Sequence, residues 1–262
     1  MNSEKVIILG VGNSGTKLLG TLTSELLTRE GFPDYHYEPL YWRGRRGEPG
    51  VVLDREAIDE HVSFPLLPEA STNDWPWLDA FVDRLSGLAK FIRLGSRIRL
   101  VLPKPVKVIA ITRELYAYLG SMQKNFPRCL PNAGWHHRPG EYDDFERLCD
   151  LYPEHDLRAE ESCRVEVEAA WWHLHNHQIM IHADAPNLLH VRYEDLCEEP
   201  TETMGRVARF LGTQPLDQQH LRGIHAAPVR PVKLLPRNVA TIERIAGELN
   251  GRLYPMKQAK AS

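Results

Sequence analysis

Residues 6 to 19 read VIILGVGNSGTKLL. An apolar run leads into a loop with three glycines and a serine, and then a threonine and a lysine open a leucine-spaced helix. Glycine lets the backbone come close to an anion, consecutive amide N–H groups of such a turn form a concave donor site, and the positive end of the following helix favours negative charge there. A phosphorylated or sulfated group is expected at the mouth of this loop.

Two nucleotide patterns compete for the stretch. A Mg-nucleotide loop reads G-x-x-x-x-G-K-[ST]. Gly10 and Gly15 have that separation, but Thr16 stands where the lysine belongs and Lys17 comes one place late. The dinucleotide pattern G-x-G-x-x-G also fits from Gly10 to Gly15, with Glu38 as the acid that would meet a ribose. An ordinary strand-to-helix turn is the bland alternative.

The 262 residues suit one large α/β domain. Apolar residues at 42% and charged residues at 26% are those of a soluble globular protein. A net charge of −3 gives no case for non-specific nucleic-acid binding, although Arg43, Arg45 and Arg46 form a local basic cluster. No apolar stretch approaches the roughly 18 residues of a membrane span, and the first strand begins at once without a signal sequence, so a cytoplasmic location is expected. Cys129, Cys149, Cys163 and Cys197 form no C-x-x-C pair and suit free thiols. His173, His175 and His177 lie two apart, but only His173 and His177 would share a helix face, and no metal site is expected.

Leu18, Leu19, Leu22 and Leu26 predict an amphipathic helix over 16 to 29. Residues 35 to 42 resemble a short strand, with Glu38 on it or just beyond. WPWLDAFVDRLSGL is expected to be helical and LAKFIRL to hold a short strand. VKVIAIT, residues 106 to 112, is a β-branched run of the kind buried on both faces of a parallel sheet, and a helix follows through Leu115, Leu119 and Met122. Residues 126 to 160 break all periodicity and are the candidate acceptor-binding lid. A long helix is expected from 160 to 182, a strand from 188 to 193, and a helix with Met204, Val207, Ala208 and Leu211 on one face, ended by Gly212. Residues 213 to 237 read as a loop, after which Asn238 is expected to cap a final helix.

Strands and helices alternate throughout, which predicts a central parallel sheet flanked by helices. Ligands on such sheets bind beyond the carboxyl ends of the strands. That rule places the loop at 10 to 17, Glu38, Arg113 and Tyr193 along one rim.

Several stretches together resemble the sulfotransferases that use 3′-phosphoadenosine 5′-phosphosulfate (PAPS). NSGTKLL is similar to their 5′-phosphosulfate loop, and VIAITRELYAYLGSMQ to their 3′-phosphate motif, an apolar strand ending in Arg with Ser eight positions on, here Arg113 and Ser121. LLHVRYEDLCEEPTETMGRVARFLG resembles the family's strand, Y-E-D segment, proline and helix. The resemblance implies a single P-loop NTPase-like domain over residues 1 to 262. It further implies PAPS as donor, 3′-phosphoadenosine 5′-phosphate (PAP) as product, and no metal. Asn13, Ser14, Gly15, Thr16 and Lys17 would hold the 5′ end of the donor, Arg113 and Ser121 its 3′-phosphate, and Tyr193 would lie beside the adenine. Arg230 and Lys233 stand where relatives close over the 3′-phosphate. An arginine suits that role because its planar, permanent charge binds phosphate with two hydrogen bonds.

Transfer of the sulfuryl group needs a base for the acceptor and cations for the departing phosphate. The resemblance makes Glu38 the base and lets Lys17 and Lys90 stabilise the leaving group, and His36, two residues earlier on the same strand face, is the second candidate for the base. Two departures stand out: Asn13 replaces the loop's usual basic residue, and Lys17 its second Ser or Thr. The expected acceptor is a hydroxyl or amine of a small molecule or glycan, and Trp42, Trp75, Trp77 and Trp135 are candidates to stack on it. A nucleotide-dependent kinase or NTPase, and a non-catalytic nucleotide-binding module, are the alternatives. A homo-oligomer is compatible with the sequence.

Overall fold

A computed structural model of the chain describes residues 6–11, 13–29, 35–37, 88–92, 107–125, 149, 152–155, 157, 164–225 and 231–255. These belong to two compact units. The first spans Met1–Thr112 and Gln178–Ala226, and the second Arg113–His177 and Ala227–Ser262.

The first unit is built on a sheet of five parallel strands: β1 (Val6–Gly10), β2 (Tyr35–Tyr37), β3 (Leu88–Ile92), β4 (Lys107–Thr112) and β5 (Leu188–Arg192), in the order β2-β3-β1-β4-β5. β1 is therefore central, flanked by β3 and β4, and its loop opens at the middle of the sheet's carboxyl edge. The continuous apolar character of β1 and β4 matches this position, since Val6, Ile8, Leu9, Val108, Ile109 and Ile111 are all buried.

Helix α1 (Thr16–Arg29) turns Leu19, Leu22, Leu26 and Leu27 into the core, at the spacing the sequence predicts. They meet Ile109, Ile111 and Val191 from the sheet, together with Met204, Val207 and Leu211 from a later helix, α5 (Pro200–Leu211). Gly212 ends α5 in the left-handed conformation, φ 78°, as expected of a glycine at that point. The Lys107 ammonium donates to the Leu211 carbonyl at 3.2 Å and lies over the Phe210 ring, placing a cation at the negative end of α5.

In the second unit, helix α2 (Leu115–Asn125) follows Arg113 and Glu114. Helix α3 (Arg164–Ile181) runs out of this unit into the first. Its stretch from Arg164 to Ala170 is buried all round, and Trp172 is fully buried. The charges this face carries are answered internally: Arg164 Nε donates to Glu168 Oε1 at 2.8 Å, and Tyr118 Oη donates to Glu168 Oε2 at 2.9 Å.

Four expectations change. Tyr193 does not end a strand but starts the short helix α4 (Tyr193–Glu198). The stretch from 213 to 237 includes a short helix, α6 (Gln218–Leu221). Asn238 is not the cap residue: the final helical segment begins at Pro236, and Asn238 is its third residue, reaching back to accept from the Leu235 N–H at 3.2 Å. That segment is also not uniformly α-helical. After α7 (Pro236–Ile242) it widens into a π-helical turn, Glu243–Gly247, before α8 (Glu248–Leu253). Tyr116 Oη donates to Glu243 at that turn, which gives the widened geometry a partner on α2.

The expected helix at WPWLDAFVDRLSGL up to residue 87, residues 38 to 42, Trp42, Trp75, Trp77 and Trp135, and nearly all of residues 126 to 160 lie outside the described residues. The last residue of that expected helix, Leu88, is instead the first of β3. Within 126 to 160 a 3₁₀ turn, Pro153–His155, is described. No helix among the described residues is long and apolar enough to cross a membrane.

His190 on β5 pairs its Nε2 with the Thr112 hydroxyl of β4 at 2.9 Å. Burial, reinforced by Arg206 and Arg192 and partly opposed by Asp195, pushes its imidazole down to about 4. An unfolded chain, with the ordinary value of about 6.5, takes up a proton that the folded chain refuses, so stability present above about pH 6.5 is lost as pH falls towards about 4. Replacing His190 with Asn is expected to shrink that loss. Urea unfolding at about pH 7.5 and pH 5 should differ by about 1 to 2 kcal/mol less in the variant than in the parent. Equal losses in the two proteins would show that His190 is not the titrating group.

Candidate functional site

The loop after β1 is shaped by close backbone approach. A Cβ added at Gly10 would stand 2.7 Å from the Ile111 carbonyl oxygen and 2.8 Å from Thr16 Cγ2. Any side chain there would force β1 away from β4. The Ser14 amide donates to the Val11 carbonyl at 3.2 Å, and the Leu19 amide to that of Gly15 at 3.0 Å, so Gly15 is the residue from which α1 starts. Gly15 has φ 89° and Asn13 φ 64°, both left-handed. Asparagine is among the few side chains that accept this region, which gives a backbone reason for the residue that stands in place of the usual basic one.

Tyr193 closes the loop from the end of β5. Its ring lies so near Gly15 that an added Cβ would overlap its Cδ2 edge. Asn13, Ser14, Gly15, Thr16, Lys17 and Tyr193 are thus brought together. Thr16 is buried in the first turn of α1, Lys17 beside it is exposed, and Asn13 and Gly15 are half-buried.

The Ser14 hydroxyl is the informative atom. It is fully buried, with no hydrogen-bond partner among the described residues, at the head of a helix. Helix geometry leaves the first amides of α1 without i−4 acceptors as well. A buried hydroxyl costs about 1 to 3 kcal/mol when it lacks a partner, and an anion seated on the α1 terminus would supply one.

The second unit carries Arg113, Ser121 and Lys233. Arg113 is buried at 7% exposure, directly after the last residue of β4. Its carbonyl accepts from Trp172 Nε1 at 2.8 Å, fixing the backbone where the strand hands over to α2. Ser121 is half-buried on α2. Lys233 is exposed on a segment whose backbone is bonded to Gln123.

Lys90 is the middle residue of β3, in register with Ile8 and Tyr37, and His36 pairs with Ala89. Glu38 and Arg230 lie outside the described residues. Among the described residues no three His, Cys, Asp or Glu side chains gather as metal ligands would. His173 and His177 instead stack on each other with centroids 5.6 Å apart, and Tyr152 bonds to His173 Nδ1 at 2.5 Å. Burial, with His177 and His155, pushes His173 down to about 4. Cys149 and Cys197 are both buried.

Two features escape sequence reasoning. Gln123 falls inside the stretch that resembles the 3′-phosphate motif, but nothing local marks its amide as a backbone ligand. The Trp172 bond to the Arg113 carbonyl joins residues that are far apart in the chain.

The sulfotransferase domain family matches residues 3–228, and the chain belongs to that family. No curated protein matches it significantly in sequence. Among solved structures it is similar to mouse sulfotransferase SULT7A1 complexed with PAP (15% identity, 84% of this chain and 62% of that one, TM-score 0.40). It is also similar to retinol dehydratase in complex with androsterone and inactive cofactor PAP (16%, 96% and 82%, TM-score 0.47). A third is the sulfotransferase domain of the Synechococcus PCC 7002 olefin synthase (17%, 93% and 94%, TM-score 0.41). The chain spans less than two thirds of the mouse protein's length. Membership rests on the sequence match.

Gly15→Ala tests the loop. The left-handed φ and the overlap with Tyr193 together predict a loss of about 2 to 4 kcal/mol in urea unfolding. Tyr193→Ala placed in the same chain should recover only the overlap, leaving the backbone cost. A Gly15→Ala protein as stable as the parent would contradict the close approach.

Proposed function

We propose that the protein transfers a sulfuryl group from PAPS to a hydroxyl or amine of a small-molecule or glycan acceptor, releasing PAP, and that residues 1 to 262 act as one catalytic domain. The observation that carries this reading is the buried, unpartnered Ser14 hydroxyl at the head of α1 in a chain of this family. The donor supplies an activated sulfuryl group on a phosphate leaving group.

The chain's own residues divide the work. Ser14, the amides of Gly15 and Thr16, and the Asn13 turn hold the 5′-phosphosulfate. Lys17, exposed in the first turn of α1, replaces the loop's missing cation and neutralises charge on the departing phosphate, assisted by Lys90. Arg113 and Ser121 take the 3′-phosphate, with Arg230 and Lys233 closing over it. Tyr193, already held against Gly15, offers a ring face for the adenine.

Glu38, which follows the last residue of β2, accepts the acceptor's proton, with His36 the second candidate. A carboxylate needs partial desolvation to act as a base near neutral pH. Residues 126 to 160 would cover the acceptor.

Thermal unfolding with PAP, with ATP plus Mg²⁺ and with NAD tests the donor. PAP at about 100 times its dissociation constant should add about 2.7 kcal/mol and shift the transition upward. Arg113→Ala should weaken PAP binding about 10- to 100-fold, the scale of losing hydrogen bonds to a charged group. Stabilisation by ATP with Mg²⁺ alone would sink the proposal in favour of a kinase. Glu38→Gln addresses the chemistry: turnover should fall steeply while PAP affinity holds, and undiminished turnover would remove Glu38 as the base.

A further inference from the structure

Gln123, in the last turn of α2 and 8% exposed, meets Lys233 twice. Its Nε2 donates to the Lys233 carbonyl at 2.9 Å, and its Oε1 accepts from the Lys233 amide at 2.8 Å. One side-chain amide thereby satisfies both backbone groups of Lys233, as a neighbouring strand would.

Two residues further on, a second tie holds the same segment. The Leu235 amide donates to Asn238 Oδ1 at 3.2 Å, and Asn238 Nδ2 donates to Glu166 Oε1 of α3 at 3.0 Å. Asn238 and Glu166 are 1% and 5% exposed, so this anchor is buried. Residues 231 to 235 belong to no helix or strand, yet their backbone is fixed at two points within the second unit. The side chain of Lys233 remains exposed on that fixed backbone.

We propose that Gln123 is a positioning residue for the donor: by holding both backbone groups of Lys233 it sets the lysine in place before the nucleotide's 3′-phosphate arrives. The inference rests on the donor-binding role proposed for Lys233. Physically, a cation on a loose segment loses affinity because the segment must be ordered as the ligand binds, whereas here folding has already ordered it. Gln123 touches neither phosphate nor acceptor in this scheme and acts only through Lys233. A purely structural clasp would stabilise the fold and leave affinity alone.

The test is a double-mutant cycle read as PAP affinity by titration calorimetry on the full chain: the parent, Gln123→Leu, Lys233→Ala and the pair. Each single change should weaken PAP about 5- to 20-fold, and Gln123→Leu should add nothing further once Lys233 is alanine, because contacts that act as a unit are not additive. Donor KM should rise in Gln123→Leu with far less change in acceptor KM.

Three outcomes overturn the proposal: an unchanged PAP affinity in Gln123→Leu, an unchanged affinity in Lys233→Ala, or single effects that multiply in the pair. Where Gln123→Leu fails to fold, Gln123→Glu replaces it in the cycle. It can still accept from the Lys233 amide but, when ionised, cannot donate to the carbonyl, so a smaller loss that again vanishes beside Lys233→Ala is expected. Failure of the parent itself to bind PAP is a separate result: it removes the donor reading and this inference with it, before any variant is compared.

Discussion

The close contact of β1 with β4 at Gly10 governs the first unit. With the Ile111 carbonyl 2.7 Å from where a Cβ would stand, the end of β1 has room for hydrogen only. That approach delivers the loop to the middle of the sheet's carboxyl edge, packs Thr16 beneath it and starts α1 in a fixed direction, with Leu19, Leu22 and Leu26 directed into the core. Tyr193 then covers Gly15 from the end of β5, two strands across the sheet. The loop is therefore shaped by the core and by an aromatic ring, and its donors stand ready without a ligand to organise them.

The distribution of buried polar groups sharpens the point. In the second unit the two buried carboxylates of α3 are matched in place: Arg164 and Tyr118 share Glu168, and Asn238 meets Glu166, whereas the buried side-chain amide of Asn176 finds no partner among the described residues. The Ser14 hydroxyl has no such answer, and neither does that of Thr23 on α1. The two differ in position. Thr23 lies within the helix, where a Ser or Thr hydroxyl has backbone carbonyls near it. Ser14 lies ahead of the first turn, among amides that also lack intrahelical acceptors, so the same anion would satisfy several groups at once.

What was legible in the chain follows from how local the cause is. The strands at 6 and 107, the helices at 16 and 200, and the glycine that ends the latter were readable because their apolar spacing and terminator lie within a few residues. The loop residues 13 to 17 were readable for the same reason. Tyr193 was placed correctly at the end of β5, but its helical start was missed, since the residues after it continue as Y-E-D with no break in pattern. Asn238 was recognised as a capping group and assigned three positions too late, because Pro236 and Leu235 before it carry no side-chain cap of their own. The π-helical turn, the Trp172 bond to Arg113 and the Gln123 bonds to Lys233 have no local signature: each depends on a partner more than fifty residues away.

That last class bears on the second unit's part in donor binding. The family match ends at residue 228, whereas Lys233, the Gln123 side chain of α2 that holds its backbone, and the Asn238–Glu166 pair that holds Leu235 two residues on combine residues on both sides of that limit. On the proposed reading, the 5′ end of the donor meets a loop whose form is set by two glycines and a tyrosine, and the 3′ end meets a lysine whose backbone is held by the Gln123 side-chain amide. The first arrangement tolerates almost no change of side chain, because backbone and ring occupy the space. The second depends on hydrogen bonds to main-chain groups, which any residue at position 233 other than proline could make, so the clasp can persist while the residue it presents changes. Selectivity at the 3′ end would then lie in what position 233 carries, and its precision in Gln123.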